Sequence, residues 1–196
     1  MKTVIFGGTF NPPHLGHERV VELVGKELKP DRFLVIPTYI PPHKEIEAGS
    51  PTPGQRLALC KAAFEKYPFV TVSDLELKKR DVSYTVNTLA ILKERYPGDE
   101  FYLVIGSDSF LNFTSWFCFE EIMKEATLVV ISREKNDFES LSRKAEEYRR
   151  LYSAKALLIE AEPFVLSSSE IRAGKMDESS LSGEVLAYIR KKHLYA

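Results

Sequence analysis

The chain has 196 residues, with 27 Lys plus Arg against 28 Asp plus Glu and a net charge of -1. Hydrophobic residues make up 44% and charged residues 28%, enough apolar material for a full core; this excludes a disordered chain, a collagen-like repeat or a coiled-coil rod. Balanced charge gives no general basic field for nucleic acid, but it is compatible with a local cationic pocket for a small anion.

The two cysteines, Cys60 and Cys118, offer neither zinc spacing nor a disulfide framework, so both are expected as small buried hydrophobes. No apolar run approaches the ~20 residues that cross a bilayer, and the first residues are too short an apolar run for a signal peptide. The expectation is a soluble, cytoplasmic protein with no membrane partner.

The elements follow in order. Thr3–Phe6 is a strand, followed by a glycine- and proline-rich loop. From His17 to Leu28, Val20, Leu23, Val24 and Leu28 recur at helical spacing, and Pro30-Asp31 ends the run. Phe33–Ile36 is a second strand whose continuous apolar character suits burial on both faces. Residues 37–54 hold five prolines and two glycines and read as a long binding loop. Thr52 caps a helix with Pro53 at its first position, burying Leu57, Cys60, Ala63 and Phe64. Val70–Val72 is a third strand, continued past a turn by Leu75 and Leu77.

Ser83–Tyr96 reads as a helix with Ser83 as a candidate cap, and Phe101–Ile105 as a strand stopped by Gly106. Phe119, Ile122 and Met123 mark a short helix, Leu128–Ile131 a fifth strand, residues 138–152 a charged helix, and Ala156–Ile159 a sixth strand. Ser182 caps a last helix carrying Val185, Leu186 and Ile189. Alternating strands and helices predict an α/β fold: a doubly wound, Rossmann-like, mainly parallel sheet of five to six strands in the order 3-2-1-4-5. Residues 1–196 are expected to form a single domain, with a helical C-terminal appendage from about residue 165.

The first strand runs into Gly7-Gly8-Thr9-Phe10-Asn11-Pro12-Pro13-His14-Leu15-Gly16-His17. Ligands of parallel sheets sit at the carboxyl ends of the strands, where this loop lies. Gly7 and Gly8 allow close approach, and the helix opening near Gly16 offers free N–H groups to an anion. His14 and His17 are three apart, so both can face that anion. There is no G-x-G-x-x-G and no G-x-x-x-x-G-K-[ST], which disfavours a dinucleotide oxidoreductase and excludes a P-loop enzyme. Of four histidines, no pair has an evident remaining ligand set, so no protein-bound metal and no zinc are expected.

The segment GGTFNPPHLGH resembles the (T/S)FxPxHxGH signature of the nucleotidyltransferase α/β-phosphodiesterase superfamily. Further segments resemble the bacterial nicotinate-nucleotide adenylyltransferases: Ile36-Pro37-Thr38 with Pro41-Pro42-His43-Lys44, Ser83-Tyr84-Thr85, Gly106-Ser107-Asp108-Ser109, Trp116, and Leu166–Arg172 against an ISxTxxR pattern. The likeness runs from residue 5 to residue 172. Two departures are Asn11 where Asp is common and Ser169 where Thr is usual; little effect is expected from either.

The resemblance implies adenylyl transfer from ATP to nicotinate mononucleotide. His14, His17, Lys44 and Arg172 are the implied catalytic residues. Gly7, Gly8, Thr9, Phe10, Gly16, Gly106, Asp108, Arg133, Ser167 and Ser169 would line the ATP and phosphate side. Thr38, Tyr84, Thr85 and Trp116 would hold the mononucleotide, with Trp116 stacked on its pyridine ring. Phe110, Phe113, Phe117 and Phe119 are expected to be packing residues. Mg²⁺ would arrive with the ATP phosphates. The acceptor phosphate is mostly a dianion at neutral pH, so no general base is required. Nicotinamide mononucleotide or another phosphate acceptor is the nearest alternative, and a nucleotide-binding sensor without turnover is a more distant one. A homo-oligomer is left open.

Overall fold

The computed structural model describes residues 1–42, 46–47, 49–132, 137–161, 166–174 and 178–195. Six strands form one sheet: β1 (Lys2–Gly8), β2 (Arg32–Pro37), β3 (Val70–Val72), β4 (Glu100–Ile105), β5 (Ala126–Ser132) and β6 (Ala156–Glu160). Their order is β3-β2-β1-β4-β5-β6, and every pairing is parallel. This is the expected order, with the sixth strand added at the β5 edge.

The helices are α1 (Leu15–Leu28), α2 (Pro53–Phe64), α3 (Leu75–Lys79), α4 (Thr85–Arg95), α5 (Ser107–Leu111), α6 (Phe119–Glu125), α7 (Phe138–Tyr152), α8 (Ser168–Arg172) and α9 (Gly183–Lys192). Two 3₁₀ turns, Phe113–Ser115 and Glu178–Ser180, complete the described elements.

Alternation along the strands builds two cores. Val4, Phe6, Phe33 and Val35 pack with Val20, Val24, Leu59, Phe64 and Val185, from α1, α2 and α9. Ile5, Leu34, Ile36 and Leu103 pack with Leu89, Ile122, Leu141 and Tyr148, from α4, α6 and α7. A sheet covered on both faces needs strands that are apolar on both, and β2 is buried from Phe33 to Pro37. The helical C-terminal part is built into the first core, where Val185 is fully buried.

α2 starts as its sequence predicts. The Thr52 hydroxyl accepts from the Gln55 N–H, and the Gln55 side chain accepts from the Thr52 N–H. Three expectations are corrected. Leu75 and Leu77 lie in α3, not in a strand: the Ser73 hydroxyl accepts from the Leu75 N–H and turns the chain, and buried Glu76 accepts from the Thr88 hydroxyl at 2.7 Å. Ser83 is not the cap of α4, since its hydroxyl is taken by the Tyr39 N–H at 2.9 Å and Tyr84 stands at the cap. Cys60 is buried as expected, but Cys118 is exposed, in a left-handed conformation at the start of α6.

Candidate active site

β1 has β2 on one side and β4 on the other, so the connections leaving β1 and β4 diverge to opposite faces of the sheet. The crevice at the carboxyl ends of those strands is the ligand position of such folds. The glycine-histidine loop closes one side of it. Gly7 and Gly8 are still in register with Ile36 and Pro37, so β1 reaches further than its apolar run.

The loop is an interlocked unit. Phe10 takes a positive φ of 49°, and its ring is buried against Phe6, His17 and Phe64, with centroids 5.4, 5.0 and 6.0 Å away. A Cβ on Gly8 would stand 3.1 Å from that ring, so glycine is what lets Phe10 fold across the end of β1. Phe10 therefore contributes to the site by seating His17, with its side chain in the core. The Gly16 position is equally tight: a Cβ there would stand 3.0 Å from the His14 imidazole. The two imidazoles lie 3.8 Å apart, centroid to centroid.

His14 caps α1, and its backbone N–H donates to Nδ1 of His17 at 3.1 Å. An Nδ1 that accepts carries no proton in that bond, so the proton of the neutral ring is on Nε2. The helix start thus orients the ring through Nδ1.

The serine-rich segment docks onto this loop. The Ser168 hydroxyl donates to the Pro12 carbonyl at 2.8 Å, and Arg172 Nη1 donates to the Asn11 carbonyl at 2.9 Å. The Ser167 and Ser169 hydroxyls bond each other at 2.7 Å. Arg172 also faces Glu47 at 3.6 Å. Asn11 is buried, and its amide uses both ends: Oδ1 accepts from the Tyr195 hydroxyl and Nδ2 donates to the Ser50 hydroxyl. Its role is larger than the turn-residue role expected from sequence. Burial pushes the Tyr195 phenol well above its ordinary range.

At the end of β2, the Thr38 N–H donates to the Gly8 carbonyl at 2.9 Å. The Tyr39–Ser83 bond and a bridge between Ile40 and Val82 bring Thr38 and the start of α4, with Tyr84 and Thr85, to one edge. Trp116 follows the first 3₁₀ turn, half-buried, with its ring 4.9 Å from Phe113. Phe110 and Phe113 are fully buried, as packing residues should be. Phe117 is not: it is 55% exposed and leans on Tyr84 at 4.8 Å. Gly106 caps α5 after β4, and Asp108 is exposed in its first turn. Asp137 accepts from the Ser107 and Ser132 hydroxyls and so ties the ends of β4 and β5 together. Lys44 and Arg133 lie outside the described residues, as does His43.

Arg56 of α2 carried no signal in the sequence, where a lone arginine on a helix reads as a solvated side chain. Here it is fully buried and donates to the carbonyls of Thr9, Thr38 and Tyr39. The position of α2, behind the long proline-rich loop, is the feature that could have drawn attention to it.

Residues 5–174 match the family model described as cytidylyltransferase-like. A protein of Caldicellulosiruptor saccharolyticus named probable nicotinate-nucleotide adenylyltransferase is 35% identical, covering 100% of this chain and 99% of its own length. A protein of the same name from Fusobacterium nucleatum is 36% identical, covering 97% and 96%. Among solved structures, the nicotinic acid mononucleotide adenylyltransferase of Plasmodium falciparum complexed with NaAD has the same fold, with a TM-score of 0.79 at 22% identity, covering 100% of this chain and 98% of that one. The glycine-histidine loop, its strand order and these full-length likenesses agree: the chain belongs to the cytidylyltransferase-like family, and within it to the nicotinate-nucleotide adenylyltransferases.

Proposed function

We propose that the chain transfers the adenylyl group of ATP to nicotinate mononucleotide, giving nicotinate adenine dinucleotide and pyrophosphate, as a cytoplasmic step of NAD formation. Residues 1–196 act together as one nucleotidyltransferase domain. The observation that carries the reading is the start of α1, where the His14 and His17 rings stand together and Nδ1 of His17 accepts from the His14 N–H. The full-length likeness to nicotinate-nucleotide adenylyltransferases supports the choice of acceptor.

A phosphate oxygen of the mononucleotide attacks the α-phosphorus of ATP. A new P–O bond forms, the bond from the α-phosphorus to the bridging oxygen breaks, and pyrophosphate leaves with the electron pair. The attacking phosphate has a second pKa of about 6 and is already anionic at neutral pH. The chain's task is therefore to position two anions and to stabilise the charge that develops between them. His17 and His14 donate to phosphate oxygens, with the glycine backbone and the α1 N–H groups beside them. Lys44 and Arg172 add positive charge, and Arg172 also holds the loop through Asn11. Ser167, Ser169, Gly106, Asp108 and Arg133 line the ATP side. Thr38, Tyr84, Thr85 and Trp116 receive the mononucleotide, its carboxylate at the N-terminus of α4 and its ring on the indole.

Mg²⁺ fits this site as an ion carried by the nucleotide. Among the described residues no three His, Cys, Asp or Glu side chains form a cage, and Asp108 is a single exposed carboxylate at the strand ends. Mg²⁺ is commonly held by one or two carboxylates, phosphate oxygens and waters, so Asp108 is the residue that would hold it. When bound, the ion neutralises charge on the phosphate oxygens.

The test is pyrophosphate release with ATP and Mg²⁺, run in parallel on nicotinate mononucleotide, nicotinamide mononucleotide and phosphopantetheine. Strong preference for nicotinate mononucleotide is expected. Preference for the amide would overturn the carboxylate site at Tyr84 and Thr85. Silence on all three would overturn the transferase reading.

A further inference from the structure

Arg56 stands in the first turn of α2, with its N–H bonded to the carbonyl of Thr52, the helix cap. That is the wrong end of a helix for a cation, because the dipole there is positive. The guanidinium is also fully buried, with the charge of buried Glu76 acting on it but, among the described residues, no salt bridge to it. Burial pulls its pKa below the ordinary arginine value. A buried cation is costly unless its protons are well satisfied, so these unfavourable features need an offsetting contribution.

Among the described residues Nε has no hydrogen-bond partner, so the offset falls to the acceptors of the two Nη groups. Nη1 donates to the Thr9 carbonyl at 2.7 Å, on the glycine-histidine loop. Nη2 donates to the carbonyls of Thr38 and Tyr39 at 2.7 and 3.1 Å, on the loop that follows β2. β1 and β2 are last joined by the bond from the Thr38 N–H to the Gly8 carbonyl, and beyond it the two loops part. Arg56 bridges the gap at the point where the ladder ends. Only a planar fork with several donors reaches both loops at once; a lysine ammonium is a point charge without that geometry. From Tyr39 the connection continues through Ser83 to the start of α4.

We propose that Arg56 is a positioning residue that locks the nucleotide-side loop and the acceptor-side loop in one relative placement. It touches neither substrate; it sets the distance and angle between the two. This rests on the adenylyl-transfer reading, in which Thr9 lies on the ATP side and Thr38 on the mononucleotide side. Each half-site keeps its own residues when Arg56 is changed, so binding of each substrate survives while alignment is lost. Misplacement by about 1 Å costs on the order of 10²-fold in rate.

The test compares Arg56→Lys, and Arg56→Gln as a second variant, with the wild type. The expected result is a fall in kcat of roughly 10²-fold, with each KM within about threefold of wild type. Hydrogen exchange is read alongside at residues 8–13 and 38–41. In wild type, inorganic pyrophosphate should slow exchange in both segments; in the variants it should slow only the first, and basal exchange should rise in both. Near-normal kcat in a folded variant would overturn the proposal, as would wild-type protection confined to residues 8–13, a result that can be read even if neither variant folds. If pyrophosphate protects neither segment and the wild type shows no turnover, the adenylyl-transfer reading fails. The basal exchange then decides Arg56 alone: a rise in both segments supports the lock, and a rise in one or neither removes it.

Discussion

His17 does two jobs with its two ring nitrogens. Nδ1 accepts from the His14 N–H and completes the start of α1, and in the proposed reaction Nε2 donates to a phosphate oxygen. Replacing His17 by Ala removes both. The lost cap interaction should cost about 1 kcal/mol, lowering the melting temperature by a few degrees. The lost donor should lower kcat by roughly 10²-fold or more. Circular dichroism, a thermal melt and kcat at 25 °C separate the two effects, and near-normal turnover in the folded variant would contradict the role. The pair His14 and His17 was legible in the sequence because its spacing, its glycines and its place after a strand form a local pattern. Arg56 was not, because nothing local distinguishes a buried arginine from a solvated one; three carbonyls from two other segments bury it. Asn11 is similar: its partners Ser50, Arg172 and Tyr195 come from distant parts of the chain.

The elements bring Trp116 and the start of α4 to one side of the crevice. Phe117, next to Trp116, leans on Tyr84, the cap of α4. Trp116 rests on the buried Phe113 and keeps part of its ring accessible. An indole held in this way can stack on an electron-poor pyridine ring. Trp116→Ala should therefore raise the KM for the mononucleotide by about tenfold, the size expected for an aromatic pair worth ~1.5 kcal/mol, with the KM for ATP little changed. Steady-state kinetics with each substrate varied in turn checks this, and an unchanged mononucleotide KM would show that the ring lies elsewhere. The short elements here were the least legible. Leu75 and Leu77 alternate as in a strand, but the segment is helical, with the Ser73 hydroxyl accepting from the Leu75 N–H and the Glu76 carboxylate accepting from the Thr88 hydroxyl. Phe117 belongs to an aromatic-rich run that reads as core, yet the chain around Cys118 leaves it outside.

At the scale of the whole molecule, the sheet does the organising. Six parallel strands with helices on both faces put every strand-end loop of interest at one edge. Strand order was legible because long apolar runs alternate with amphipathic helices, a pattern that admits few connections. The return of the C-terminal part was not. α8 and Tyr195 hydrogen-bond the Asn11–Pro12 segment across more than 150 positions of sequence, which periodicity does not encode. The molecule is thereby arranged so that segments from both of its ends meet around the glycine-histidine loop. The central claim is that this arrangement moves an adenylyl group. ATP labelled at the α-phosphorus, or separately at the γ-phosphorus, should be incubated with the protein, Mg²⁺ and nicotinate mononucleotide, and the dinucleotide isolated. The α-label should appear in the dinucleotide and the γ-label in pyrophosphate. A γ-label on the mononucleotide, or no labelled dinucleotide at all, would contradict the account.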